Sequence, residues 1–254
     1  MTGASEKTSG SQIGMIVAVQ LCLLAAWELL ARSGALGLSV PALSKIAQVF
    51  MQPRFASLLY RSAMATGRSA LTGLLIGIAI GIVTALVAHL LPPLRPGLDR
   101  LAVTINAIPA VALGPIFILM VSRELTPSLL ATIPVSFLIY IAVTSGLRTA
   151  STGLGKMMTT FGAGKLKRLF YLEVPAALPS FLGGVKVSMT AAMIGAIVGE
   201  WFGAPTGLGI VILNTMQNFE IPLMWAAVLL VAGLALVGYG IAHLLERLVA
   251  RRFA

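Results

Sequence analysis

The chain has 254 residues, of which 58% are hydrophobic and 10% are charged, and its mean hydropathy is +0.97. Soluble domains typically carry about 25% charged residues, so this composition excludes a water-soluble globular protein. The net charge of +10 therefore indicates basic loops that face anionic lipid on the cytoplasmic side of a membrane, rather than nucleic-acid binding.

Six apolar runs are candidates for crossing a bilayer, which takes about 20 residues as a helix. They cover residues 13–31, 70–91, 101–121, 129–143, 178–202 and 223–245. All six are expected to be helical, because backbone groups in lipid must be paired within their own segment. Residues 1–12 contain Lys7 as their single basic residue, which favours a retained first span over a cleaved signal peptide. We predict a cytoplasmic tail, residues 1–12, and one transmembrane domain, residues 13–254.

The segment between the first two spans, residues 43–68, differs from the spans in its charge. Four basic residues interrupt it, while Ile46, Val49 and Phe50 supply an apolar side. An interfacial helix that lies on the membrane is the best prediction for this segment.

Basic residues also predict the orientation. With the amino terminus in the cytoplasm, eleven Lys and Arg residues fall on the cytoplasmic side and six on the other. The loop at residues 146–174 is the main contributor, with Arg148, Lys156, Lys165, Lys167 and Arg168. Both termini are therefore predicted to be cytoplasmic.

Small residues recur every fourth position in two spans. They are Gly73, Gly77 and Gly81 in the second span, and Gly195 and Gly199 in the fifth. Such spacing creates a small face that a neighbouring helix can approach closely, so we predict helix packing at these positions.

Prolines and polar residues inside the spans are candidates for a translocation pathway. Pro109 and Pro115 lie in the third span and Pro134 in the fourth, where each frees backbone carbonyls that line a pathway or are buried in a simple kink. Asn106 and Glu200 are also costly in lipid and should face the bundle interior, another subunit or an interface. For Glu200 the alternative is an exposed carboxylate at the outer interface, beside Trp201 as a membrane anchor.

Motifs for catalysis or metal binding are missing from the sequence. The Gly164-Lys165 pair lacks the other residues of a phosphate-binding loop, since Thr159 and Leu166 occupy their positions. Cys22 is the single cysteine and the chain has two histidines, so neither a metal site nor a disulfide is expected. We predict that the chain is not an enzyme and binds no cofactor itself.

The basic loop can form two short helices around Gly162, Ala163 and Gly164, each with apolar residues. Its sequence FGAGKLKRLFYLEVPAALPSFLGGVKVSM resembles the loop signature of permease subunits in binding-protein-dependent ABC importers. That signature is Glu-Ala-Ala, three residues, Gly, nine residues, Ile-x-Leu-Pro. Here Gly162 is followed by nine residues and then by residues 172–175, which end in Pro175. The chain departs from the signature at Lys156, which stands where the signature has its glutamate.

The resemblance extends from about Pro41 to the end of the chain and is closest to the nitrate, sulfonate and taurine permease group. The segments INAIPAVALGPIFIL and GEWFGAPTGLGIVILNTMQNF carry it, and parts of both also resemble permeases for pyrimidine thiamine precursors. It implies the all-helical type I permease fold, with six spans and a cytoplasmic coupling helix, in the bacterial inner membrane.

The resemblance also implies the partners. Two permease subunits, usually identical in this group, would form the pathway for a small anion such as nitrate, a sulfonate or taurine. A cytoplasmic ATPase dimer would bind ATP and Mg²⁺, and a periplasmic or lipid-anchored binding protein would deliver the solute. The residues implied to contact the ATPase are Phe161, Gly162, Ala163, Gly164, Lys165, Leu166, Lys167 and Pro175.

Two alternatives remain open, and a third, a membrane enzyme, is disfavoured. The same machinery could import a pyrimidine thiamine precursor or a related heterocycle. An ATP-independent transporter or channel would instead couple transport through intramembrane acids, for which Glu28 and Glu200 are the candidates, both near helix ends. A membrane enzyme would need a cluster of His, Asp, Glu or Cys near one surface, and the sequence offers none.

Overall fold

The computed structural model describes residues 10–253, and it describes the surroundings of side chains from residue 14 to residue 249. Eleven α-helices account for most of this part of the chain. They are α1 (Gly10–Arg32), α2 (Leu43–Met51), α3 (Pro53–Leu90), α4 (Arg95–Ala107), α5 (Ala110–Met120), α6 (Thr126–Leu147), α7 (Thr152–Thr160), α8 (Lys165–Arg168), α9 (Val174–Glu200), α10 (Leu208–Gln217) and α11 (Ile221–Phe253).

The predicted spans correspond to α1, α3, the α4–α5 pair, α6, α9 and α11. In the described residues, five of these helices are single, apolar and long enough to cross a membrane, and the α4–α5 pair makes a sixth if it counts as one span. Helix α1 begins at Gly10, and residues 1–9 of the predicted tail, with Lys7, lie outside the described residues.

The predicted third span is a bent pair of helices, and the break lies at Pro109. The chain bends by 94° between α4 and α5. Ile108 has an extended backbone (ψ 123°), and Pro109 precedes the first residue of α5. A residue before proline is pushed out of the helical region, and proline itself has no N–H to donate, so the helix ends at this point.

The predicted interfacial helix over residues 43–68 was also wrong in its extent. The structure divides this segment at Gln52, which has an extended backbone, and residues 53–68 continue into the span as part of α3. Proline is favoured in the first turn of a helix, so Pro53 starts the new helix. The amphipathic helix is therefore the shorter α2, whose Ile46 and Val49 are buried.

Helix α6 is the centre of the bundle, with α3 on one side and α9 on the other. Leu130, Val135 and Ile139 on α6 have no exposed surface. The glycines of α3 pack against this helix: a Cβ atom added to Gly77 would lie 2.6 Å from Val135 Cβ, and one added to Gly81 would lie 2.7 Å from Ile139 Cβ. Gly73 meets Ala131 in the same way, one turn earlier.

The glycines of α9 approach the backbone of α6 from the other side. A Cβ atom added to Gly195 would lie 2.6 Å from the Leu130 carbonyl oxygen, and one added to Gly199 would overlap Pro127 Cα. Both small faces therefore let a neighbouring backbone approach more closely than any side chain would permit.

We expect Gly77→Leu to destabilise the bundle, because the added side chain cannot fit against Val135. Overpacking typically costs about 1–3 kcal/mol and sometimes more. The measurement is the thermal unfolding midpoint of the detergent-purified chain. Gly67→Leu in the same helix is the matched control, since a Cβ atom at Gly67 meets nothing within 4 Å. Equal midpoints for the two variants would contradict the packing argument.

Candidate functional site

Residues 152–173, here called the hairpin, connect α6 to α9. The Ser151 hydroxyl begins α7 by accepting a hydrogen bond from the Leu154 N–H (3.4 Å). At the end of α7, the N–H groups of Gly162 and Ala163 donate to the carbonyls of Thr159 (3.0 Å) and Met158 (2.9 Å). Gly162 adopts a φ of +81°, which favours glycine, and so the chain reverses at this residue.

The hairpin leaves several large apolar side chains exposed. Phe161 is 81% exposed, Leu166 60% and Phe170 65%. Lys165 and Lys167 lie between them in the sequence and are also exposed. Leu169 differs, since it is buried in the core shared by α3, α6 and α9. A folded segment that leaves several large apolar side chains exposed is typical of a docking site for another protein.

The residues implied to contact an ATPase fall into two groups. Residues 161–167 form the turn of the hairpin and the start of α8. A Cβ atom at Gly164 would meet nothing within 4 Å, so no other residue of this chain packs against this position. Pro175 is half-buried in the first turn of α9, next to the hairpin.

Glu173 holds the base of the hairpin to the rest of the bundle. One carboxylate oxygen lies 2.8 Å from Arg168 Nε, and the other lies 2.6 Å from His89 Nε2 at the end of α3. The Glu173 side chain is nearly buried. Sequence reasoning missed both Glu173 and His89. The position of Glu173 between the apolar residues Leu172 and Val174 was a signal of a specific polar contact.

The predicted pathway residues do not form one cluster. Asn106 is exposed on α4, Pro109 lies at the bend, and Pro115 is exposed inside α5. Pro134 is half-buried within α6. The bent pair therefore carries three of the candidates, while Glu200 lies in the last turn of α9.

Glu200 is not an exposed carboxylate, so that alternative was wrong. Its side chain is 1% exposed, and it accepts a hydrogen bond from the Gly209 N–H (2.7 Å) at the start of α10. Thr66 of α3 similarly accepts one from the Leu208 N–H (2.8 Å). The first N–H groups of a helix lack acceptors within the helix, and here side chains of two other helices accept their hydrogen bonds. Trp201, by contrast, is 42% exposed.

Glu28 and Lys186, two further charged residues within the predicted apolar runs, are paired. Glu28 forms an ion pair with Arg32 (2.6 Å) and accepts a hydrogen bond from the Ser44 N–H (3.2 Å). Lys186 of α9 forms an ion pair with Glu246 of α11 (2.6 Å). Among the described residues, no group of three or more His, Cys, Asp and Glu side chains could hold a metal ion.

Two polar cavities are large enough for a small ligand. The first, here called the α3–α10 pocket, has a volume of about 470 Å³ and is lined by Arg54, Arg61, Asn214, Asn218 and Glu220, among others. The second, here called the hairpin cleft, has a volume of about 790 Å³ and lies between the hairpin and the adjoining ends of α3, α4 and α6.

Comparison with known proteins gives a family. The model of the family described as "Binding-protein-dependent transport system inner membrane component" matches residues 77–251. The riboflavin transport system permease protein RibX of Chloroflexus aurantiacus is 36% identical over 94% of this chain and 90% of its own length. The formylaminopyrimidine transport permease protein ThiX of Halalkalibacterium halodurans is 33% identical over 59% of this chain and 60% of its own.

A sulfonate permease and a solved structure are also similar. The putative aliphatic sulfonates transport permease protein SsuC of Escherichia coli is 28% identical over 61% of this chain and 59% of its own length. A chain of the MetNI methionine ABC transporter in an inward-facing conformation matches with a TM-score of 0.68 and 17% identity, over 78% of this chain and 99% of that chain. This last similarity shows the fold.

We expect Thr66→Val to destabilise the junction of α3 and α10, because valine keeps the shape of threonine but cannot accept a hydrogen bond from the Leu208 N–H. An unpaired buried N–H costs about 1–3 kcal/mol. Thr66→Ser, which retains the hydroxyl, is the control. Thermal unfolding of the purified variants measures the effect, and a valine variant as stable as the serine variant would rule out this capping role.

Proposed function

The chain belongs to the family of inner-membrane components of binding-protein-dependent transport systems, and on that premise we propose that it forms, as a dimer, the solute pathway of an ABC importer. Its fold is that of a type I ABC importer permease. In this proposal, the ATPase dimer is a separate cytoplasmic partner that binds ATP and Mg²⁺. A substrate-binding protein delivers the solute from the other side of the bacterial inner membrane, and both termini are cytoplasmic.

The hairpin is the proposed contact with the ATPase, and its exposed surface is the observation that carries the proposal. Phe161, Leu166 and Phe170 are each at least 60% exposed, although hydrogen bonds cap both ends of α7 in the same hairpin. Aromatic and aliphatic side chains of this size are anchors in protein interfaces when a partner covers them. The loop position that the basic residues predict puts these side chains in the cytoplasm, where the ATPase would bind.

The base of the hairpin supports a mechanical role. Glu173 bonds to Arg168 within the hairpin and to His89 at the end of α3, and Leu169 packs into the core. A displacement of the hairpin would therefore move α3 and α9 with it. ATPase closure can shift the balance between inward-open and outward-open states only if its contact with the hairpin differs between them. A hairpin attached firmly to two spans meets the structural requirement for that coupling.

The proposed pathway runs along the bent α4–α5 pair. Asn106 is exposed in this pair, and an amide that faces lipid is costly, so water or a second copy of the chain should cover it. Pro109, Pro115 and Pro134 introduce the breaks that border this path. Glu200 is the weakest member of the proposed set, because its carboxylate already caps α10.

For the solute we propose a small anion such as nitrate, a sulfonate or taurine. The α3–α10 pocket supports this class, since Arg54 and Arg61 line it together with two asparagines, and it would face the binding protein in the predicted orientation. A second candidate is a heterocycle, because the relatives named for riboflavin and formylaminopyrimidine are 36% and 33% identical to this chain.

The coupling role predicts that Gly164→Leu will lower solute-stimulated ATP hydrolysis by the reconstituted complex about tenfold or more, from interface overpacking of about 1–3 kcal/mol. Gly164 has a φ of −68° and open space at its Cβ position, so leucine should not disturb its own chain. Gly97→Leu is the control, since Gly97 is equally open but lies outside the hairpin. Unchanged hydrolysis in Gly164→Leu, or solute uptake by the chain alone in nucleotide-free vesicles, would contradict the proposal.

The solute class is tested with the same complex and its cognate binding protein. We expect nitrate, taurine or an aliphatic sulfonate to stimulate ATP hydrolysis, and Arg54→Gln together with Arg61→Gln to reduce that stimulation. An arginine pair that fixes an anion contributes charge-assisted hydrogen bonds of about 1.5–3 kcal/mol each, so the loss should exceed about tenfold. Stimulation by riboflavin or a thiamine pyrimidine, and by none of the anions, would instead identify the heterocycle class.

A further inference from the structure

The hairpin cleft collects basic side chains from several parts of the chain. Its volume is about 790 Å³. Arg95 at the start of α4, Arg148 after α6, and Lys156 and Arg168 in the hairpin line it, together with His89 and Glu173. The chain thus brings four cationic side chains and one carboxylate to a single concave surface.

Both carboxylate oxygens of Glu173 already have partners inside the cleft. Its two oxygens bond to Arg168 and His89. Arg95 forms an ion pair with Asp99 (Nε to Oδ2, 3.6 Å), but its Nε is buried without a hydrogen-bond partner. Within the described part of the chain, Arg148 and Lys156 form no ion pair. Arg148 and Lys156 therefore lie in the cleft without an ion pair, beside an Arg95 whose Nε has no hydrogen-bond partner, and this arrangement attracts an anion.

Lys156 increases the excess of positive over negative charge in the cleft. The loop signature that the hairpin resembles has an acidic residue at this position, and a carboxylate there would have faced the arginines of the cleft. The lysine replaces a counter-charge with another cation. Among the residues that the structure describes, Glu173 is the single carboxylate that lines the cleft, so an anion from outside the chain would add to its neutralisation.

We propose that the hairpin cleft binds a phosphate-bearing anion. Arginine binds phosphate oxygens through paired N–H groups, and both Arg95 and Arg148 are available for this contact. Ser151 and Thr152, at the start of the nine-residue helix α7, also line the cleft. The beginning of a helix carries a partial positive charge and unpaired N–H groups, which add to the attraction for phosphate.

The position of the cleft suggests two sources of phosphate. It adjoins Leu147, the last residue of α6, and His89, in the last turn of α3, where the spans reach the membrane surface. In the orientation of the proposed function, on which this inference rests, that surface is the cytoplasmic leaflet with its anionic lipids. The source is either a phospholipid headgroup or free inorganic phosphate.

A bound phosphate would link α4 and α6 to the hairpin. Arg95 and Arg148 lie near the spans, whereas Lys156 lies in α7, so an anion held by all three would limit the movement of the hairpin relative to the bundle. Anion binding would thereby influence how the hairpin transmits motion.

The test uses the full chain purified with its ATPase and reconstituted into nanodiscs. One arm compares phosphatidylglycerol with phosphatidylcholine and counts bound lipids by native mass spectrometry. The other arm adds inorganic phosphate to phosphatidylcholine discs and measures the thermal midpoint. We expect preferential retention of phosphatidylglycerol or stabilisation by phosphate, and the arm that responds identifies the source.

Lys156→Glu should weaken anion binding in the responding arm about tenfold, since it replaces an attractive charged contact with a repulsive one. Lys156 is exposed on α7, so the variant should fold, and Lys156→Gln should give a smaller loss. Arg100→Glu makes the same charge change on α4 outside the lining of the cleft, and should bind the anion as the unmodified chain does.

Three results would overturn the proposal. These are no response in either arm, equal losses in Lys156→Glu and Arg100→Glu, or anion binding only after removal of the ATPase, which would mean that an acidic surface of the ATPase occupies the cleft. Solute-stimulated ATP hydrolysis by the unmodified complex is measured in parallel. Normal stimulation without anion binding defeats this inference alone, whereas absent stimulation counts against the proposed function.

Discussion

The close approach of three helix backbones is the constraint on which the rest of the structure depends. Helix α6 lies between the glycine faces of α3 and α9, and a single added carbon at Gly77 or Gly195 would lie 2.6 Å from atoms of α6. Helices in lipid gain little from the hydrophobic effect, so packing of this kind must hold them together. Tightly packed interfaces switch between discrete arrangements rather than deform continuously, and α3, α6 and α9 should therefore move as one block.

The attachments of the other elements to this block follow from polar contacts at its ends. Glu173 and His89 join the hairpin to α3 at one end. Thr66 and Glu200 hold the start of α10 against α3 and α9. Gly207 is required there, because its φ is +148° and a Cβ atom would overlap the Glu200 carboxylate. A buried polar group is costly unless it is hydrogen-bonded, so these few contacts determine where each attached element can lie.

Sequence reasoning predicted the parts of the structure that local patterns determine. Apolar length located the six spans, four-residue spacing located the packing glycines, and the Gly162 turn followed from the break in the hairpin. It missed the contact between Glu173 and His89 and the contact between Thr66 and Leu208, because these partners are 84 and 142 residues apart in the sequence. For Glu200 it left burial and exposure open, because the choice depends on how α10 folds back onto the end of α9. It predicted that proline would disrupt the third span, but the size of the bend depends on packing against other helices.

If α3, α6 and α9 move as a block, the change between inward-open and outward-open states must occur where the block is weakly connected. The α4–α5 pair fits this description, because α4 has no buried residue and α5 has one, Gly114. A Cβ atom at Gly114 would overlap the ring of Phe202, which follows α9, so α5 remains in contact with the end of the block. Motion of the hairpin would then pass through α9 to α5, while the bend at Pro109 lets α4 respond differently. The proposed pathway residues on this pair are thus on the part of the chain with the most freedom to change between the two proposed states.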